Sequence, residues 1–182
     1  MSAWQTHASR TVYENRWMRV REDDVTTPDG QPGIYGVVEV RQPAVFVVPV
    51  TADDEVVMIR QHRYPVDRES LEVPAGGTDG EDPGTAARRE LLEETGYTAG
   101  SWAELGPTYS LNGLCNAPGS IWLATDLTYV GGHEGDAHEE GITEVVRLPW
   151  HEVARRVRTG EIHDGESLAA LMHAAVALGR LA

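Results

Sequence analysis

Three glutamates fall within five consecutive positions of one predicted helix, and they form the cluster in this chain best suited to chemistry. Glu90, Glu93 and Glu94 belong to the run that begins at Arg89 and ends at Gly96. At about 100° per residue, Glu94 lies about 40° from Glu90 and Glu93 lies about 60° from it on the other side, so the three share one face. Like charges at this spacing destabilise a helix by about 0.2–0.5 kcal/mol per pair. The cluster therefore fits a hard divalent cation such as Mg²⁺, which prefers oxygen ligands.

Arg89 leaves a second interpretation open. Its guanidinium can pair with Glu93 at i,i+4, which would fix one carboxylate while the others face a metal. Alternatively, the glutamates form a solvated acidic face with Arg88 and Arg89 as counterions. The segment by itself does not decide between a metal site and an acidic surface.

The helix that carries the glutamates has clear start and stop signals. Asp82 is a good N-cap, and Pro83 fits the first helical position. Residues 86–94 are nearly all strong helix formers, and Gly96 stands where a left-handed residue ends a helix. The sequence thus predicts a helix between Asp82 and Gly96.

Strands are predicted on both sides of this helix in the sequence, and helices close the chain. The run from Ala44 to Val50 is almost uninterrupted apolar sequence, as expected of a strand that is covered on both faces. One closing helix is predicted from Pro149 to Arg158 and another from Ser167 to Leu181, with Ser167 as its cap. The other predicted strands cover residues 16–25, 33–40, 56–63, 121–125 and 144–148. This is an α/β or α+β pattern without regular βαβ alternation.

Charge and composition exclude several kinds of site. All 15 basic residues are arginine, against 29 acidic residues, and the formal net charge is −14. Without lysine the chain has neither the lysine of a phosphate-binding P-loop nor a Schiff-base nucleophile. The acidic balance argues against nucleic-acid and anionic-membrane partners, because their phosphates would be repelled.

The length of 182 residues fits one domain with a small appended element. The single cysteine, Cys115, cannot form an intrachain disulfide. The sequence has no visible secretory signal and no apolar run of about 20 residues. A cytoplasmic location is therefore expected.

The glutamate helix and the loop before it resemble a known signature. That of the Nudix hydrolases reads G-x5-E-x7-R-E-U-x-E-E-x-G-U, where U is a bulky apolar residue. The residues in register with it are Glu81, Arg89, Glu90, Leu91, Glu93, Glu94, Gly96 and Tyr97. One departure is visible: four residues rather than five separate Gly76 from Glu81, so the loop is one residue short.

The resemblance implies a Nudix-type α/β/α sandwich with a mixed sheet. It also implies hydrolysis of a nucleoside diphosphate linked to another moiety, by water attack with Mg²⁺ or Mn²⁺ as cofactor. Carried onto this chain, Glu90 and Glu94 would be metal ligands, and the backbone carbonyl near Ala75 would complete the site. Glu93 would be a further ligand or be shared with Arg89, and both are candidate catalytic residues.

Two flanking stretches narrow the resemblance to one branch of the family. The pattern Q-x-R … E-x-P-A-G of the ADP-ribose and nucleoside diphosphate sugar pyrophosphatases is matched by residues 61–63 and 72–76. Arg63 would then face a substrate phosphate, with Arg41 as a second candidate, and Trp17 could stack on a nucleobase.

The same branch has an N-terminal β element before the Nudix domain. Here that element would be residues 1–40, before a Nudix domain at 41–182. In the branch the element contributes to a swapped homodimer. A glutamate on a late loop often acts there as general base, for which Glu140 is the first choice and Glu139 the second.

The expected function is therefore Mg²⁺-dependent hydrolysis of ADP-ribose or a related nucleoside diphosphate sugar to a nucleoside monophosphate and a sugar phosphate. Two alternatives stay open. The same family chemistry could act on dinucleotides or damaged nucleoside triphosphates, or the chain could be a non-catalytic ligand sensor of the same fold. The complete set of glutamates in the signature argues against the sensor, which has no need of a metal site.

Overall fold

The computed structural model of the chain describes residues 3–131 and 141–180. The chain divides into two compact units. The first comprises the residues up to Pro43 together with Tyr109–Pro118, and the second comprises Ala44–Thr108 together with the chain from Gly119 onward.

The first unit is built around a four-stranded sheet in the order β1-β2-β3-β9. Its strands are β1 (Gln5–Glu14), β2 (Met18–Thr26), β3 (Pro32–Val40) and the short β9 (Cys115–Asn116). The first three pair antiparallel, and β9 joins β3 in parallel. The sequence predicted β2 and β3 but not β1 as a separate strand. Every residue of β1 is exposed, so no alternation of buried and exposed positions marks it.

The second unit contains two sheets. The larger has the order β7-β4-β10-β8, formed by β4 (Ala44–Pro49), β7 (Ala75–Gly77), β8 (Tyr97–Tyr109) and β10 (Pro118–Tyr129). It is mixed, because β4 pairs with β10 in parallel and with β7 antiparallel. The smaller sheet is antiparallel and has the order β11-β5-β6, from β5 (Glu55–Arg63), β6 (Arg68–Glu72) and β11 (Ile142–Pro149).

Helices cover both faces of the larger sheet. They are α1 (Pro83–Thr95), α2 (Trp150–Arg158) and α3 (Gly165–Ala177). The side chains of β4 alternate between two buried clusters. Val45 and Val47 pack with Leu91 of α1, whereas Phe46 and Val48 belong to the cluster that contains Val153 of α2 and Leu171 of α3. The predicted two-sided strand and the α/β/α sandwich are both confirmed.

The predicted boundaries of α1 are confirmed by its capping contacts. The Asp82 carboxylate accepts hydrogen bonds from the backbone N–H groups of Gly84 and Thr85 at 3.0 and 3.3 Å. Gly96 has φ of 70° and ends the helix in the left-handed region. These signals are local in sequence, which is why the sequence placed them correctly.

The predicted cap of α3 is wrong. Asp164 caps the helix, and its carboxylate accepts the Ser167 backbone N–H at 2.7 Å. Ser167 lies inside the first turn and is buried. Aspartate and serine are comparable caps, so local sequence does not choose between them. None of the described helices is long and apolar enough to cross a membrane.

Candidate active site

The short loop before α1 closes as a tight turn. The Glu81 backbone N–H donates to the Thr78 carbonyl at 2.8 Å, and the two residues between them, Asp79 and Gly80, have φ of 48° and 85°. Positive φ at both central positions is characteristic of a type I′ turn, for which Asp-Gly is a favoured sequence. The loop is one residue shorter than the signature, but this turn still places Glu81 within hydrogen-bond distance of Arg89 in α1.

Arg89 ties this loop to the glutamates of α1. Its guanidinium donates to the carboxylates of Glu81, Glu90 and Glu93 at 2.9, 2.8 and 2.9 Å, and to the Gly77 carbonyl at 2.9 Å. Partial burial lowers the pKa of Arg89, but its hydrogen bonds to Glu81 and Glu93 outweigh burial, so the pKa lies above its ordinary value. The predicted Arg89–Glu93 ion pair is present.

Two of the glutamates are buried against β7. Glu90 is 4% exposed and Glu94 is 3% exposed. The Glu94 carboxylate accepts the Ala75 backbone N–H at 2.8 Å, and a Cβ built on Gly76 would lie 2.2 Å from the Glu90 carboxyl group. Gly76 is therefore required for the close approach of strand and carboxylate. Of the four predicted ligands, the structure places Ala75 against Glu94 and connects Glu90 to Glu93 through Arg89.

The residues present fit a hard divalent cation. Burying two carboxylates is costly unless their charge is balanced. Across residues 3–131 and 141–180, no three Asp, Glu, His or Cys side chains are arranged as a metal site, and Arg89 contributes the positive charge beside Glu90. The donors of this cluster are all oxygen atoms, the ligand type that Mg²⁺ and Mn²⁺ prefer, and Gly76 leaves room for the Glu90 carboxyl group beside the strand.

Glu72 belongs to the Q-x-R … E-x-P-A-G motif but is not among the residues that the sequence predicts for the site. Its buried carboxylate accepts from Arg63 Nε at 3.0 Å, from Arg63 Nη2 at 2.5 Å and from Gln61 Nε2 at 3.3 Å. Hydrogen bonding to Glu72 raises the pKa of the Arg63 guanidinium above its ordinary value. The two halves of the Q-x-R … E motif are thus joined by side-chain contacts, which follow from the pairing of β5 with β6.

A cavity of about 480 Å³ opens beside the Arg63–Glu72 pair. Its volume falls within the range of small-molecule pockets. Sequence reasoning missed the residues that α3 and the loop before it contribute. These are His163, Asp164, Gly165 and Glu166, and burial raises the pKa of the Asp164 carboxyl. The apolar part of the wall is formed by Phe46, Pro65 and Val66.

Two other candidates lie in the first unit. Trp17 is 64% exposed, and the Arg16 guanidinium lies 4.1 Å from the centre of its ring. The backbone N–H of Arg41 donates to the Trp17 carbonyl at 2.9 Å, and the Arg41 side chain forms an ion pair with Glu14. Trp17 and Arg41 are therefore neighbours. Glu139 and Glu140, the candidate general bases, lie outside the described residues.

Comparison with protein families identifies the family of this chain. A nucleoside diphosphate sugar hydrolase N-terminal domain matches residues 4–38, and a NUDIX domain matches residues 40–171. The chain belongs to the Nudix family. The resemblance drawn from the sequence is thereby confirmed.

Relatives of this Nudix hydrolase share most of its length. An ADP-ribose pyrophosphatase of Bacillus subtilis is 28% identical over 93% of this chain and 91% of its own. An ADP-ribose pyrophosphatase of Mycobacterium tuberculosis is 33% identical over 93% of this chain and 82% of its own. A crystal structure of an ADP compounds hydrolase matches with a TM-score of 0.83, covering 99% of this chain and 96% of the other. Its sequence identity is 23%, so this likeness shows the fold.

Proposed function

We propose that this Nudix hydrolase cleaves the pyrophosphate bond of ADP-ribose or a related nucleoside diphosphate sugar, releasing a nucleoside monophosphate and a sugar phosphate. The observation that carries the proposal is the packing of Glu90 and Glu94 against Ala75 and Gly76. The Arg63–Glu72 pair and a cavity adjoin the same segment of chain. The names of the Bacillus and Mycobacterium relatives support ADP-ribose as the first substrate to test.

In the proposed mechanism, Glu90, Glu94 and the Ala75 carbonyl would hold Mg²⁺ or Mn²⁺, with Glu93 as a further ligand. The cation, when bound, offsets the charge of the pyrophosphate and makes water a better nucleophile. Arg89 keeps Glu93 and Glu81 in place through its hydrogen bonds. Glu140, or Glu139 beside it, takes the proton of the attacking water.

Arg63 holds a substrate phosphate in this proposal. Glu72 occupies Nε and Nη2 of its guanidinium, which fixes the plane of the group. Almost half of the Arg63 side chain remains exposed and can donate to a phosphate oxygen. Because the chain has no lysine, arginine is the side chain available for this contact.

We further propose that residues 1–40 form a dimerisation element of a cytoplasmic homodimer, with a Nudix domain at 41–182. Trp17 of this element and Arg41, the residue that follows it, contribute to nucleotide binding, by stacking and by ion pairing respectively. Exposed apolar side chains of this element support an interface, since large exposed apolar surface marks interaction sites. They include Val12, Tyr13, Trp17 and Ile34.

Product analysis tests the proposed function. Purified protein is incubated with ADP-ribose, other nucleoside diphosphate sugars, dinucleotides and oxidised nucleoside triphosphates, with Mg²⁺, with Mn²⁺ and with a chelator. We expect AMP and ribose 5-phosphate from ADP-ribose, and no products with the chelator. Faster turnover of a dinucleotide or triphosphate would replace the proposed substrate. Tight ligand binding without turnover of any compound would indicate a sensor instead.

A further inference from the structure

The segment from Glu72 to Gly77 is held by several different elements of the second unit. It contains the end of β6, the whole of β7 and the two residues between them. Its hydrogen bonds reach the side chains of Arg63 in β5, Ser167 in α3, Glu94 and Arg89 in α1, and the backbone N–H of Val47 in β4. All but one of these partners belong to β4 or to elements that carry predicted site residues. The exception is Ser167.

Ser167 makes a buried hydrogen bond to the middle of this segment. Its side-chain Oγ accepts the Val73 backbone N–H at 3.1 Å, and the Ser167 residue is 1% exposed. Its own backbone N–H donates to the Asp164 carboxylate at 2.7 Å, which fixes the serine in the first turn of α3. Val73 is buried as well. The contact is therefore shielded from water at both ends.

The Val73 N–H occupies a particular place in the chain. β6 ends at Glu72 and β7 begins at Ala75, so Val73 and Pro74 connect a strand of the smaller sheet to a strand of the larger one. Pro74 has no N–H, so Val73 carries the single amide donor of this connection. A buried amide donor without an acceptor is costly, and a serine hydroxyl can satisfy it without a charge.

We propose that Ser167 is a positioning residue for the reaction. By fixing Val73, it sets Glu72 beside Arg63 on one side and Ala75 and Gly76 beside the two buried glutamates on the other. Ser167 touches no reacting group in this proposal and acts through the backbone of the connection. The inference rests on the proposed function, because the proposed function assigns a metal and a substrate phosphate to the residues on either side of Val73 and Pro74.

The test compares Ser167→Ala with Ser167→Thr, which keeps the hydroxyl. Leu171→Ala is the matched control, because Leu171 is a buried residue one turn later on α3 that takes no part in the hydrogen bond. Two quantities are measured for each variant. One is the affinity for Mn²⁺ without substrate, by electron paramagnetic resonance of the free ion, and the other is the Mg²⁺ concentration that gives half-maximal turnover of ADP-ribose.

We expect Ser167→Ala to weaken Mn²⁺ binding by about tenfold, the lower end of the loss that follows removal of a group that orients metal ligands. The Mg²⁺ concentration that gives half-maximal turnover should rise in parallel. In Ser167→Thr both quantities should stay within about twofold of the wild type. Leu171→Ala should lower Tm without weakening Mn²⁺ binding. Unchanged Mn²⁺ affinity in Ser167→Ala, equal weakening in Leu171→Ala, or a wild type that binds no Mn²⁺ would each overturn the inference. Mn²⁺ binding is read without substrate, so a wild type that binds Mn²⁺ but hydrolyses nothing would refute the proposed function separately.

Discussion

Two helices of this protein carry glutamate and arginine at the same spacing, but their surroundings differ. In α1, Arg89 pairs with Glu93 four residues later, and in α2, Glu152 pairs with Arg156 four residues later. The α1 cluster continues into two buried glutamates that lie against β7. The α2 cluster continues instead into Arg155 and Glu161, which stay partly exposed.

The difference shows what makes one cluster a site and the other a surface network. Hydrogen bonds from Arg155 and Arg156 lower the pKa of Glu152 to about 2, so the carboxylate is satisfied by neighbouring arginines. Exposed ion pairs of this kind contribute little to stability. Glu90 and Glu94 lie instead beside a strand that brings an amide and a glycine to them. The strand opposite the helix, rather than the spacing on it, separates the two clusters.

The largest effect should come from Glu94→Gln. Loss of a group that only orients a metal ligand already costs about 10–100-fold, so loss of the proposed ligand itself should lower kcat for ADP-ribose by more than about 100-fold. Tm should not fall, because the change removes a buried charge. The matched control is Glu152→Gln in α2, which should keep kcat within about twofold. Retention of more than about a tenth of the activity in Glu94→Gln would contradict the metal assignment.

Gly76→Ala tests the strand side of the same cluster. The new Cβ would fall 2.2 Å from the Glu90 carboxyl group, so strand or carboxylate must move. We expect a loss of about 1–3 kcal/mol in the free energy of unfolding, together with reduced kcat. Urea denaturation and steady-state kinetics measure both. Gly36→Ala is the control, because its Cβ would meet nothing within 4 Å; similar losses in both variants would count against a specific contact.

Arg63→Lys tests whether the proposed phosphate contact needs only a positive charge or also the forked hydrogen bonding of a guanidinium group. Lysine keeps the positive charge but cannot donate in a fork, to Glu72 or to a phosphate. We expect KM for ADP-ribose to rise by about tenfold with a smaller change in kcat, since one charge-assisted contact is lost. The exposed Arg68 lies opposite Arg63 on β6, and Arg68→Lys serves as control. An equal rise in KM for the two variants would remove Arg63 from the substrate site.

The smallest effect concerns the α2 network and its pH dependence. The pKa of Glu152 is lowered from 4.5 to about 2, so its contribution to stability is complete above about pH 4.5 and is lost as the pH falls through 2. The difference in Tm between the wild type and Glu152→Gln should therefore be small at pH 7 and should shrink below about pH 4.5. Tm measured at intervals down to about pH 3 checks this. A Tm difference between the wild type and Glu152→Gln that grows on acidification would contradict the lowered pKa of Glu152.

Local signals account for the parts of the fold that sequence could predict. Asp82, Pro83 and Gly96 mark the ends of α1 within the helix itself, and the apolar run of β4 marks a strand with two covered faces. The family signature lies on that same helix, which is why the glutamates of the site were found. β1 was missed because a strand exposed at every residue has no periodic pattern to detect.

The rest of the site depends on contacts between distant residues. Glu72 meets Arg63 only because of the register between β5 and β6, and the sequence does not state that register. Ser167 was taken for a helix cap because serine is a common cap, although Asp164 fills that role and leaves the serine hydroxyl for Val73. The sequence therefore predicts the candidate ligand glutamates and Arg89, but not the contacts that Glu72 and Ser167 make beside them.

The hydrogen bond between Val73 and Ser167 also has a consequence for synthesis, because it can form only after both residues have been added to the chain. The two residues are 94 positions apart. At about 5–20 residues per second, a ribosome needs roughly 5–20 s to travel from one to the other. By the end of that interval the nascent chain contains β7 and every glutamate of α1, but not yet the helix whose Ser167 accepts the Val73 N–H. If Ser167 positions the connection as proposed, the site is complete only after α3 has docked, and a chain that stops before α3 would carry the whole signature without the hydrogen bond that holds Val73.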